Sequence, residues 1–89
     1  MKPLILVVED EPPIQKLLAY NLGAAGFEVA AAHDGEEAIV MLDERIPDLV
    51  LLDWMLPQIS GLELCRRLRR RQATAHVPII MLTARGEEP

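Results

Sequence analysis

The sequence predicts an α/β fold in which a parallel sheet is covered by helices, and three observations lead there. Short, almost wholly aliphatic runs, Leu4-Ile5-Leu6-Val7-Val8, Leu49-Val50-Leu51-Leu52 and Val77 to Leu82, read as strands buried on both faces. Segments with helical apolar spacing alternate with them through short joins, which implies right-handed crossovers and one parallel sheet. The strands also end in chemistry: Glu9-Asp10-Glu11 after the first, Asp53 after the third and Thr83 after the last. In open sheets of this kind ligands gather at the carboxyl ends of the strands.

The elements follow in order. After the first strand, Pro12 and Pro13 suit the first turn of a helix, where a missing N–H costs nothing, and Ile14, Leu17, Leu18, Leu22 and Ala25 continue at helical spacing to Gly26. Glu28 to Ala32 is the second strand, with Phe27 and Val29 its larger apolar neighbours. Asp34 with Glu37 forms a capping box for a second helix whose apolar face is Ala38, Ile39, Met41 and Leu42, and Pro47 stops it. Ser60 with Glu63 repeats the device for a third helix running through Leu64, Cys65 and Leu68 to a group of arginines. The order is strand, helix, strand, helix, strand, helix, strand, with no internal repeat and no interdomain linker.

Size and composition narrow the function. With 89 residues the chain is one domain, spanning 1–89. Half of it is apolar but only Tyr20, Phe27 and Trp54 are aromatic, a composition of helix-covered sheets rather than sandwiches. A net charge of -5 argues against gripping nucleic acid directly. The single cysteine, Cys65, has no internal disulfide partner and reads as a small buried hydrophobe, which suits a reducing cytoplasm. No apolar run approaches the roughly 20 residues of a bilayer span, so no membrane contact is expected.

Glu9, Asp10 and Asp53 are expected to converge at one sheet edge. Three carboxylates that close repel one another unless a cation intervenes, and a hard divalent ion such as Mg2+ favours a few carboxylate oxygens while keeping an open side for water and phosphate. With that ion present, Asp53 is placed to take up a phosphoryl group, and Thr83 to donate to a phosphate oxygen. Each signal has an ordinary structural reading beside it: an acid pair at a helix start uses the dipole, Asp53 is a turn residue, and Thr83 is a strand-end hydroxyl. Their agreement at one edge favours the chemical reading. His33 and His76 lack a matching ligand set. Arg66, Arg67, Arg69, Arg70 and Arg71 read first as cations complementing the dipole at a helix end, and second as a docking surface.

The segments Val7-Val8-Glu9-Asp10-Glu11, Leu51-Leu52-Asp53-Trp54-Met55-Leu56-Pro57, Ser60-Gly61 and Met81-Leu82-Thr83-Ala84-Arg85 together resemble the receiver domains of bacterial two-component response regulators. Within that family Leu-Asp-Trp-Met-Leu-Pro and Leu-Thr-Ala-Arg-Gly-Glu-Glu are most similar to the winged-helix class of phosphate-regulon regulators. The resemblance implies a flavodoxin-like, doubly wound sheet of order 2-1-3-4-5, with four of the five strands present here. It implies Asp53 as phosphoacceptor for a sensor histidine kinase, Asp10 as a direct metal ligand, Glu9 as a ligand through water and Met55 as a ligand through its backbone carbonyl. Thr83 is implied as the switch hydroxyl, the Ala84 amide as a phosphate contact, and Gly61 as the residue that permits the turn. Phosphorylation is then expected to control homodimerisation and, through a DNA-binding domain outside this chain, transcription.

The family's phosphate-pairing lysine and switch aromatic belong to the region of the fifth strand, which has no counterpart before Pro89. The chain is therefore expected to be a receiver truncated at its C-terminus, one that binds Mg2+ weakly, is phosphorylated poorly and self-associates. It is expected not to be an enzyme beyond slow self-catalysed phosphotransfer and dephosphorylation. Phosphatases of the haloacid dehalogenase class also carry a nucleophilic aspartate after an apolar strand, but they need a second aspartate two residues on, where this chain has Met55. A phosphorylation-independent interaction module is the other rival, and it predicts that Asp53→Asn leaves partner binding unchanged.

Overall fold

The computed structural model describes residues 1–82. Seven elements alternate: β1 (Leu4–Val8), α1 (Pro12–Ala24), β2 (Glu28–Ala32), α2 (Gly35–Glu44), β3 (Leu49–Asp53), α3 (Gly61–Arg70) and β4 (Ile79–Leu82). The four strands form one parallel sheet of order β2-β1-β3-β4. β1 is central, and all five of its residues are buried because helices cover both sides of it. Successive side chains of a strand point to opposite faces. Leu6 and Val8 accordingly pack with Val50, Leu52 and the α2 and α3 residues Ala38, Leu42, Leu64 and Leu68. Ile5 and Val7 pack with Leu51 and with Leu18 and Leu22 of α1 on the other face.

The helix ends form as the side chains dictate, with one departure. Pro12 and Pro13 occupy the first two positions of α1, and beyond its last turn Gly26 adopts a positive φ of 101°. Asp34 accepts from the Glu37 N–H at 2.8 Å and Ser60 from the Glu63 N–H at 3.1 Å. Neither glutamate closes its box. Glu37 reaches past the cap to the His33 N–H at 2.7 Å, and Glu63 turns outward to Arg67 at 3.3 Å.

Two expectations change. The last strand starts at Ile79 rather than Val77, because Val77 donates its N–H to Thr74 in a turn, and Pro78 has no N–H to offer a ladder. Val77 still fills the core, and the Pro78 carbonyl accepts from Val50. The apolar stripe of α1 is also narrower than its spacing suggested. Leu18 and Leu22 meet the sheet, Ile14 and Leu17 stand 41% and 61% exposed, and Ala25 lies just beyond the helix. Among the described residues no helix is long and apolar enough to cross a membrane.

Candidate metal and phosphoacceptor site

The register of the sheet assembles the site. Val8 lies beside Leu52, so the next residues, Glu9 and Asp53, leave the sheet at the same level. Asp10 follows immediately. One ligand oxygen from each of Glu9, Asp10 and Asp53 lies within 4.8 Å of the others. Glu9 and Asp53 are each only 4% exposed, whereas Asp10 faces solvent, so the cluster has a buried floor and an open side.

Burial pushes the Glu9 carboxyl up from its ordinary range, opposed by a hydrogen bond from the Glu11 N–H at 3.2 Å and reinforced by the neighbouring charges of Asp53 and Asp10. A buried acid beside two more acids is an arrangement that a bound cation relieves. The donor set is all hard oxygen, with few protein ligands and room for water, which fits magnesium rather than a soft metal. His33 stands apart, engaged with Glu37 at 3.0 Å.

The loop after β3 is folded back on the site. The Trp54 N–H donates to the Leu82 carbonyl at 3.2 Å, and the Trp54 carbonyl accepts from the Gly61 N–H at 3.1 Å. A Cβ at Gly61 would collide with the Asp53 carbonyl oxygen, so only glycine lets α3 begin this close to the strand end. Gln58, with φ 66°, turns the loop through the left-handed region. The Met55 N–H donates to Asp53 Oδ1 at 3.3 Å, which orients the carboxylate. Trp54 is half exposed beside it.

Thus Glu9, Asp10 and Asp53 are brought together as expected, and Met55 lies on the loop that turns over them. Thr83 and Ala84 fall outside the described residues. Gln15 was not anticipated. It is buried on α1 and its amide nitrogen donates to the carbonyls of Glu9 and Ala32, each at 3.0 Å. The signal available in the sequence is a polar residue on the inward side of a helix just after the acid pair.

Comparison with known proteins agrees with this geometry. The response regulator receiver domain family matches residues 5–89. The phosphate regulon transcriptional regulatory protein PhoB of Rhizobium meliloti is 62% identical over 88 residues, covering 99% of this chain and 39% of that protein. The corresponding PhoB of Pseudomonas aeruginosa is 52% identical over 84 residues, covering 94% and 37%. The chain thus spans about two-fifths of the length of these relatives. Among solved structures, a putative response regulator from Chloroflexus aurantiacus superposes with a TM-score of 0.93 at 38% identity, covering 98% of this chain and 71% of that one. The receiver domain of a sensor histidine kinase from Pseudomonas aeruginosa, with a magnesium ion coordinated in its active site cleft, superposes with a TM-score of 0.91 at 32% identity, covering 99% and 72%.

Proposed function

Because the chain belongs to the response regulator receiver domain family, we propose that it is a phosphorylation-dependent switch in which Asp53 takes a phosphoryl group from a sensor histidine kinase. The observation that carries this reading is the convergence of Asp53 with Glu9 and Asp10, two of the three buried, at the open end of the sheet. Asp10 and Asp53 would hold Mg2+ directly, Glu9 through a water, and Met55 through its carbonyl. When bound, the ion offsets negative charge on the oxygens of the group in transfer. The relative with magnesium in its cleft supports that assignment.

Asp53 supplies the nucleophile. One Asp53 carboxylate oxygen forms a bond to phosphorus, the phosphorus–nitrogen bond to the donor histidine breaks, and the imidazole nitrogen keeps the electron pair and takes a proton. The Met55 N–H holds the carboxylate in one orientation, while Glu9 and the β-strand floor limit water on the inner side. Thr83 then serves as the switch hydroxyl, and the Ala84 amide N–H as a hydrogen-bond donor to a phosphate oxygen. The switch biases a surface toward homodimerisation, and in the longer regulator toward transcription through a separate DNA-binding domain in the cytoplasm. Dephosphorylation by water would be slow, since no acid stands two residues after Asp53, where Met55 does.

The test is phosphorylation by a small acyl phosphate with Mg2+, read as an intact-mass gain of one phosphoryl group. We expect a slow gain that disappears in Asp53→Asn and on chelation of the metal. A gain that persists in Asp53→Asn, or no gain in the unaltered chain, would overturn the proposal.

A further inference from the structure

We propose that Gln15 is a positioning residue for the cation site, holding the Glu9–Asp10 peptide where the two carboxylates can share an ion with Asp53. This rests on the reading of the acidic cluster as a magnesium site. Gln15 sits in the second turn of α1 with its side chain 8% exposed. Its amide donates to the Glu9 carbonyl and to the Ala32 carbonyl, both at 3.0 Å. Both partners are carbonyl oxygens that can only accept, so the group facing them is the NH2 of the amide, and both of its hydrogens are in use. The Ala32 carbonyl also accepts from the Glu9 N–H at 3.0 Å. Glu9 is therefore fixed at both ends of its backbone: its N–H by the end of β2, its C=O by Gln15.

The consequence lies in the peptide plane. The Glu9 carbonyl belongs to the same planar unit as the Asp10 N–H and Cα, so orienting one orients the other. Without an ion, three acids within 4.8 Å push this turn outward. Among the described residues no side-chain hydrogen bond other than that of Gln15 reaches the Glu9 carbonyl. A neutral donor holds the backbone without adding a cation that would compete with the metal. Partners one step removed from the ligands commonly set metal affinity by about 10–100-fold.

The experiment is calorimetric titration of Mg2+ into the chain, well below its unfolding temperature. Gln15→Met keeps the length and bulk and removes both donors. We expect its Kd to rise at least about tenfold. Thr74→Val is the control: it deletes a buried hydrogen bond from the Thr74 hydroxyl to the Leu68 carbonyl at 2.7 Å, on the α3–β4 crossover. Its Kd should stay within about twofold despite a similar loss of stability, because it lies away from the ligands. A folded Gln15→Met with unchanged Kd would overturn the proposal, as would an equal rise in Thr74→Val. If Gln15→Met does not fold, Gln15→Asn, whose amide is one methylene too short to span both carbonyls, takes its place with the same two outcomes. No binding by the unaltered chain would overturn the cation site itself, a result distinct from a parent that binds and a Gln15 variant that binds equally well.

Discussion

The two edges of this sheet are built on opposite electrostatic plans. At the amino edge unlike groups meet. Arg45 holds Glu28 through two contacts at 2.7 and 2.9 Å, which keeps the Glu28 carboxyl below its ordinary range, and Arg71 meets Asp43 at 3.0 Å. Asp48 accepts from the Leu4 N–H at 2.7 Å, and Arg69 donates to the Ala75 and Val77 carbonyls at 2.9 and 2.8 Å. At the carboxyl edge Glu9, Asp10 and Asp53 meet one another instead, and burial pushes Glu9 up. One edge pairs opposite charges; the other gathers like ones, an arrangement that a cation relieves. The difference teaches where the molecule stores its function, since like charges gathered at one place are what folding alone would avoid.

The contrast can be broken most severely from inside the site. Gly61→Ala forces a methyl against the Asp53 carbonyl, and the backbone rather than a flexible side chain must give. A loss of about 1–3 kcal/mol is expected, measured by urea unfolding, together with weaker magnesium binding. An equal-sized change at an exposed α1 position such as Ala24 should do far less, and a Gly61→Ala chain of unchanged stability would show that α3 does not in fact need this close approach.

A second experiment sharpens the electrostatic part. Glu9 is raised in the folded chain, so its contribution to stability is fully present below the ordinary carboxylate range and is lost as pH rises through its higher folded value. The metal-free chain should thus lose stability from this group on going from mildly acidic to neutral pH, and Glu9→Gln should flatten that slope while weakening magnesium by about tenfold. Magnesium binds the ionised form, so its affinity should begin to fall, on acidification, above the usual range of a glutamate. Thermal unfolding against pH, with and without the ion, measures both. A slope unaltered in Glu9→Gln would refute the assignment.

The smallest effect belongs to the amino edge. Arg71→Ala should cost at most about 1 kcal/mol, diminishing with added salt, since both partners of its bridge to Asp43 are solvated. It should leave magnesium affinity untouched. A large, salt-insensitive loss would mean that the two edges differ less than their charges suggest.

Much of this is legible in the sequence. The β1 and β3 runs are readable because strands buried on both faces are almost wholly aliphatic, whereas β2, a partly buried edge strand that opens on the exposed Glu28, carries a weaker signal and is nonetheless bounded at Glu28 and Ala32 as observed. The caps at Asp34 and Ser60 were readable because a short oxygen-bearing side chain three residues before an acid has few other local uses. The acid pocket was readable because strand ends in a parallel sheet share an edge. Val77 was misplaced because hydrophobicity reports burial and not hydrogen bonding. The exposure of Ile14 and Leu17 was hidden because periodicity tells which side of a helix is apolar, not how much of that side a neighbour covers. Gln15 shows in the sequence only as a polar residue on an inward helical face; its task depends on two carbonyls brought beside it by β1 and β2, and no local pattern announces them.

The central place of β1 has a consequence in time. Its neighbours β2 and β3 both follow it in the chain, and Asp10 cannot meet Asp53 until the β1–β3 pairing, with Val8 beside Leu52, is made. Contacts so distant along the chain form late, after the entropy of closing the intervening loop has been spent. The cation site is then among the last features to appear during folding and among the first to be lost. An ion bound there should lengthen the lifetime of the native state by slowing unfolding, while leaving the rate of folding almost as it was.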